Sequence, residues 1–153
     1  MDLNDQKEKT KKRITLLAIL FFIVTPVIYI FPTFITSPPQ LNQAANEMVI
    51  YILLIVAVVE PVLYPLVERF QIAQYKRVQN STMSVYQLYQ TCFLIKATLV
   101  NSVFIYGLVT FFLMGTNEHI WKFYIIGIFW VIIYWPRGNY LENFLTKAGY
   151  DGI

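Results

Sequence analysis

Apolar residues form four long runs along the chain, separated by short polar or helix-breaking segments. The runs cover about residues 14–35, 48–68, 88–114 and 120–135. A helix rises about 1.5 Å per residue, so the first three can cross a hydrocarbon core of about 30 Å, and the fourth, at roughly 25 Å, is near the lower limit. The pattern therefore predicts an all-α polytopic membrane protein with four transmembrane helices, in which residues 1–153 form a single membrane domain.

Turn and cap residues mark the ends of these runs. The breaks follow the four runs in order at Ser37-Pro38-Pro39, at the segment 80–84, at Gly115 and at Pro136. Ser84 and Gln87 have the spacing of a capping box, in which each side chain bonds the backbone of the other, at the start of the third helix. The breaks predict short connections, with no extramembrane segment long enough to fold by itself.

The C-terminal segment after Pro136 regains a helical period over about residues 140–148. Its apolar positions fall on one face: Leu141, Phe144, Leu145 and Ala148. Asn139 and Glu142 have capping-box spacing, and Gly149 can end the helix. We expect a short interfacial helix that turns Leu141, Phe144 and Leu145 into the inner leaflet. The alternative is a soluble flap that docks on the loop after the second span.

The basic residues predict the orientation of the chain. Ten of the twelve lysines and arginines fall on one side of the predicted spans: Lys7, Lys9, Lys11, Lys12, Arg13, Arg69, Lys76, Arg77, Arg137 and Lys147. Lys122 lies on the other side and Lys96 lies inside the third span. Because cytoplasmic segments carry the excess of positive charge, both termini are predicted to be cytoplasmic and the protein to be integral to the cytoplasmic (inner) membrane.

Composition and residue counts exclude several classes of function. The chain is 57% apolar and 14% charged with a formal net charge of +3, which is unlike a soluble catalytic domain or a nucleic-acid-binding face. Cys92 and His119 are the only residues of their types, so one chain cannot supply a disulfide, a multi-cysteine metal site or a histidine pair for haem. We predict no enzyme activity, no metal or cofactor and no soluble small-molecule substrate; the aromatic residues leave contact with a quinone or pigment open.

Four polar residues inside the predicted spans form the candidate site: Glu60, Lys96, Asn101 and Ser102. A carboxylate deep in a bilayer is costly unless it is paired, protonated or hydrated. Helix geometry gives depths of roughly 12 Å for Glu60 and roughly 7 Å for Lys96, so we expect these two residues to form an ion pair between spans two and three. The pair can serve helix register alone, proton or ion movement, or the binding of a lipid, ligand or partner. Lys96 can instead extend to the inner headgroups.

Pro61 and Pro65 follow Glu60 directly. Each proline removes an amide donor, so carbonyl groups near positions 57 and 61 are left to accept hydrogen bonds from elsewhere in the protein. The sequence therefore predicts a helix kink beside the carboxylate.

The segment from Leu99 to Val109, LVNSVFIYGLV, resembles the carboxylate-bearing outer helix of rotary ATPase c subunits. Asn101 stands at the position of the carboxylate of that family, and the second span lacks the repeated glycines of a c ring, so a working c ring is not implied. The chain is also similar in length and layout to small four-span bacterial membrane proteins of unassigned function that have this kind of third helix. That resemblance implies no activity.

Two hypotheses for function follow. The first is a non-catalytic integral subunit that stabilises a larger membrane protein complex, in an electron-transfer or other energy-converting assembly, with lipids and other integral membrane subunits as partners. The second is a small oligomeric pathway for protons or cations that uses Glu60.

Overall fold

A computed structural model describes residues 3–36, 43–77, 83–114 and 118–149, and all of its regular structure is helical. The elements are α1 (Leu3–Ile19), a π-helical turn (Leu20–Val24), α2 (Thr25–Ile35), α3 (Gln43–Val62), α4 (Tyr64–Arg77), α5 (Val85–Met114), α6 (Ile120–Tyr134) and α7 (Tyr140–Lys147). The predicted breaks at residues 37–39, 80–82 and 115 lie outside the described residues.

Three continuous helical stretches are long and apolar enough to cross a membrane: Asp5–Ile35, Glu47–Arg77 and Val85–Met114, of 31, 31 and 30 residues. They indicate a membrane location. The fourth predicted span corresponds to α6, which has only 15 residues. At about 1.5 Å per residue α6 is roughly 22 Å long, which is short of the hydrocarbon thickness.

Helix α5 lies at the centre of the bundle and packs against α1, α2, α3, α4, α6 and α7. Half of its most apolar stretch is buried inside the protein, against 22% for each of the other two long stretches. A helix that is apolar on all sides is typical of such a central position. Its first turn has the predicted capping box, since the Ser84 N–H donates to Gln87 Oε1 at 2.9 Å and the Gln87 N–H donates to Ser84 Oγ at 3.2 Å.

The N-terminal helix is longer than the predicted span and begins at Leu3. As far as Pro26 its buried side chains are spaced four residues apart: Thr10, Ile14, Ala18, Phe22 and Pro26; Thr33 is buried farther along. In a helix of 3.6 residues per turn, side chains spaced four residues apart gradually move around the helix axis. The π turn Leu20–Val24, in which the Thr25 N–H donates to the Leu20 carbonyl, has more residues per turn and brings the buried side chains back to the same face. One face of this long helix therefore stays against α5 despite Pro26.

Two glycines bring α5 and α6 into close contact. A Cβ atom added at Gly127 would lie 2.5 Å from ring atoms of Phe104, and one added at Gly107 would lie 3.1 Å from the Phe123 Cβ. Each glycine thus makes room for a phenylalanine of the opposite helix. Small residues at a helix interface have this function in membrane proteins.

The second long helix is interrupted at Leu63, between Pro61 and Pro65, the two prolines from which the kink was predicted. The Leu63 N–H bonds the Glu60 carbonyl at 3.2 Å, which closes a tight turn between α3 and α4. The Tyr134 hydroxyl donates to the Pro61 carbonyl at 2.7 Å. Pro65 cannot donate to that carbonyl, so a side chain from α6 replaces the missing helical hydrogen bond.

Helix α7 packs on the bundle with its apolar face. Leu141 and Phe144 are each 2% exposed, Leu145 is also buried, and the Phe144 ring lies 5.1 Å from the ring of Tyr89 in α5. The prediction that these three side chains turn into the inner leaflet is therefore wrong. Protein covers the apolar face that the sequence pattern assigned to lipid.

The capping of α7 also differs from the prediction. Asn139 precedes the helix without a side-chain capping bond. Glu142 instead forms ion pairs with two lysines of α1, at 2.8 Å to Lys7 and 3.6 Å to Lys11. Gly149 ends the helix as predicted, with a φ of 77° and its N–H on the Thr146 carbonyl.

Candidate functional site

Glu60 forms a hydrogen-bonded network with two hydroxyl groups of α5. Tyr106 Oη lies 2.6 Å from Glu60 Oε2, and Ser102 Oγ lies 2.9 Å from the same oxygen. Ser102 and Tyr106 are four residues apart, so they lie on the same face of α5. All three side chains are only partly buried, and the network therefore reaches the outer surface between α3 and α5.

The Ser102 hydroxyl also lies 2.8 Å from the Leu99 carbonyl oxygen. The two hydroxyls carry one hydrogen each, which is too few for the three contacts. The Ser102 hydrogen is therefore shared between the Glu60 carboxyl group and the Leu99 carbonyl, and the Tyr106 hydroxyl donates to Glu60.

The predicted ion pair between Glu60 and Lys96 is not formed. No carboxylate oxygen of Glu60 lies within 4.0 Å of the Lys96 ammonium nitrogen. Glu60 is opposite the Ser102–Tyr106 face of α5, whereas Lys96 precedes Ser102 by six residues. That separation corresponds to about 9 Å along the axis and about a third of a turn around it, so the two side chains point to different places.

Lys96 is instead enclosed by aromatic rings. The residue is 1% exposed. Four rings lie within 6 Å of its ammonium nitrogen, measured to their centres: Tyr140 at 4.1 Å, Phe93 at 5.3 Å, Tyr64 at 5.4 Å and Tyr134 at 5.7 Å. Such contacts attract a cation through the negative faces of the rings, and they are stronger when water is excluded. We call these four residues the aromatic cage.

Glu68 of α4 is 5% exposed and interacts electrostatically with Lys96. Glu68 also pairs with Lys147 of α7 at 3.0 Å. Because α4 and α5 are antiparallel, the register that places Glu60 opposite Ser102 and Tyr106 brings Glu68 close to Lys96. The charge of the buried Lys96 therefore interacts with Glu68, eight residues later in the chain than the predicted partner, although no Glu68 oxygen lies within 4.0 Å of its ammonium nitrogen.

Tyr140 connects this charge cluster to α7. Burial, and secondarily the Glu68 charge, raise the pKa of the Tyr140 hydroxyl to about 12. The ring that contacts Lys96 most closely is therefore neutral at physiological pH.

Asn101 does not join either network. It is buried, and its side-chain N–H donates to the Ala97 carbonyl of its own helix at 2.8 Å. Within the described residues its Oδ1 accepts no hydrogen bond, and neither Thr110 Oγ1 nor Trp130 Nε1 has a partner. The structure thus brings together Glu60 and Ser102 from the predicted cluster and leaves Lys96 and Asn101 in separate environments.

Sequence reasoning missed Tyr106, Glu68 and the aromatic cage. Tyr106 follows Ser102 at helical spacing, and Tyr64 precedes Glu68 at the same spacing, so the pattern contained a signal for both. Tyr140 carried no such signal, because its position depends on how α7 packs. Within the residues that the structure describes, no three metal-binding side chains come together.

Comparisons of the sequence and of the structure with known proteins found no matching family model, no similar curated protein and no similar solved structure.

Proposed function

We propose that the chain crosses the inner membrane four times with both termini in the cytoplasm. The three long apolar helices and the ten basic residues on one side support this topology. Helix α6 is the fourth span: Trp121 and Lys122 flank one end, and Trp135 and Arg137 flank the other. Side chains of this kind anchor a short span at both interfaces while the bilayer thins around it.

We propose further that the protein is a non-catalytic integral subunit that packs against a larger membrane protein complex, in an electron-transfer or other energy-converting assembly. The observation that carries this proposal is the position of the Glu60 network on the surface. Val56 precedes Glu60 by about one helical turn, Leu63 lies in the turn that follows α3, and the two are 37% and 46% exposed. A hydrogen-bonding carboxyl group therefore interrupts an apolar surface that faces out of the bundle.

A neighbouring protein helix suits this surface better than lipid does. Both hydroxyl contacts go to Oε2, so Oε1 is free, among the described residues, to accept a hydrogen bond from outside. Acyl chains carry no hydrogen-bond donor, and a polar group that faces them without a partner has a free-energy cost of roughly several kcal/mol. A helix with one polar side chain on an apolar face would satisfy Oε1 and cover Val56 and Leu63 together. The proposal needs no catalytic residue and no bound cofactor.

The test is site-specific photo-crosslinking in native membranes. A benzophenone amino acid replaces Val56 beside the network in one variant and the exposed Ile128 of α6 in the control variant. We expect position 56 to form one stoichiometric adduct with another integral membrane protein. The same adduct should be lost in the Glu60→Leu background and absent from the control. Only lipid adducts at position 56, or an adduct that is indifferent to Glu60, would contradict the proposal.

A small oligomeric proton or cation pathway is the second candidate. A hydrogen-bonded chain runs from the Tyr106 hydroxyl through the Glu60 carboxyl group to the Ser102 hydroxyl. It favours this function, because these groups can hold and pass a proton. Adducts at position 56 between copies of this chain would support this function. Proton flux into liposomes that contain the purified protein, abolished by Glu60→Gln, would establish it; the amide keeps the hydrogen bonds but cannot exchange a proton.

A further inference from the structure

A cavity of about 420 Å³ lies beside α4, between this helix and Lys147 at the end of α7. Its lining combines three basic side chains with apolar residues: Arg69, Lys76, Lys147, Pro65 and Ile72. Volumes of this size are typical of small-molecule sites. The cavity belongs to neither the Glu60 network nor the aromatic cage.

The charges in the cavity do not cancel. Glu68 is the one carboxylate in the lining, and it is bound to Lys147 at 3.0 Å. Arg69 and Lys76 remain. The Lys76 ammonium points towards the end of α7, since it lies 3.8 Å from the position of a Cβ added at Gly149. The three cations therefore surround the space from two helices, with an excess of two positive charges.

The cavity is placed where a lipid headgroup would lie. The stretch Glu47–Arg77 has 31 residues. At about 1.5 Å per residue it is about 46 Å long, longer than the hydrocarbon core of about 30 Å, so its basic end projects into the headgroup region. Leu66 and Phe70 of α4 are exposed just before that end and can contact acyl chains.

We propose that this cavity binds the phosphate group of an anionic phospholipid. An arginine guanidinium offers paired donors to phosphate oxygens, and the two lysines add point charges. The apolar lining accommodates the glycerol and the first acyl carbons. The inference rests on the membrane location of α4 and is independent of the proposed partner.

The experiment measures lipid binding to the full chain in a neutral detergent by native mass spectrometry. Phosphatidylglycerol and phosphatidylcholine are titrated against the unmodified protein, Arg69→Gln, Lys76→Gln and the double variant. Arg77→Gln is the matched control, because Arg77 is an exposed cation on the same turn and lies outside the cavity lining. Thermal unfolding of each variant in detergent reports whether the fold is retained.

We expect the protein to prefer phosphatidylglycerol, and this preference to fall with added salt. At about 1 kcal/mol for each basic residue near a membrane surface, each single variant should bind phosphatidylglycerol roughly fivefold more weakly, and the double variant roughly 30-fold. Arg77→Gln should change the affinity less than about twofold. An equal loss in the control, or equal affinity for the two lipids, would overturn the inference. Displacement of the lipid by millimolar inorganic phosphate would identify free phosphate as the ligand and would also overturn it.

Discussion

The Lys96 ammonium nitrogen lies 4.1 Å from the centre of the Tyr140 ring, so the central helix α5 and the C-terminal helix α7 meet at a buried cation. Tyr140 is the one residue of the aromatic cage that belongs to α7. The position of α7 is thereby coupled to the stabilisation of a charge inside the protein.

The first prediction concerns this contact. Tyr140→Leu keeps an apolar side chain but removes the ring, and we expect the free energy of unfolding to fall by about 1–2 kcal/mol. Tyr140→Phe keeps the ring and should remain within about 0.5 kcal/mol of the unmodified protein. Chemical or thermal unfolding in detergent measures both. Equal losses in the two variants would show that the hydroxyl, and not the ring face, is the important group.

The second prediction is a pH dependence at the other contact of α7. Lys7, and then Lys11, lower the pKa of Glu142 below its ordinary value of 4.5. A lowered pKa stabilises the folded state fully above the ordinary value, and the contribution is lost as the pH falls through the lowered value. Glu142→Gln should therefore melt at a lower temperature than the unmodified protein at pH 7. The two melting temperatures should converge as the pH falls from 4.5 through the lowered pKa of Glu142, and a difference that persists at still lower pH would contradict the assignment.

The third prediction tests the close contact of α5 with α6. Gly127→Ala places a methyl group where ring atoms of Phe104 lie 2.5 Å away, which forces the helices apart. We expect a loss of about 1–3 kcal/mol in the free energy of unfolding. Gly138→Ala is the control, since nothing lies within 4 Å of an added Cβ there. Unchanged stability in Gly127→Ala would mean that Phe104 can move aside without cost.

The fourth prediction concerns topology. In a Cys92→Ser background, a cysteine at Glu118 should react with a membrane-impermeant maleimide added outside intact cells, and a cysteine at Asn143 should not. Both positions are exposed in the structure, so accessibility within the protein does not separate them. Permeabilised cells should label both. Labelling of the Asn143 position alone in intact cells would reverse the orientation.

Much of the fold was predictable from local pattern. The long apolar runs and the capping box of Ser84 and Gln87 depend on residues that are close in sequence, and the structure contains both. The face of α7 was not predictable in this way. An apolar stripe must be covered, but its pattern does not distinguish lipid from the protein surface around Tyr89.

The candidate site was predictable only in part, for a geometric reason. The depths of Glu60 and Lys96 were counted from assumed helix ends, and an error of a few residues moves a side chain both along and around a helix. The structure pairs Glu60 with Tyr106 and places Glu68 within electrostatic range of Lys96. The interhelix register decides such pairs, and it depends on packing between whole helices.

The most direct test of the site is a pair of double-mutant cycles measured by unfolding in detergent. One cycle combines Glu60→Leu with Tyr106→Phe, and the other combines Glu60→Leu with Lys96→Met. The 2.6 Å contact between Tyr106 and Glu60 predicts a coupling of about 1 kcal/mol or more in the first cycle. The separation of Lys96 from Glu60 predicts losses in the second cycle that add to within about 0.5 kcal/mol. Strong coupling of Glu60 to Lys96, with additive losses for Glu60 and Tyr106, would contradict the arrangement described.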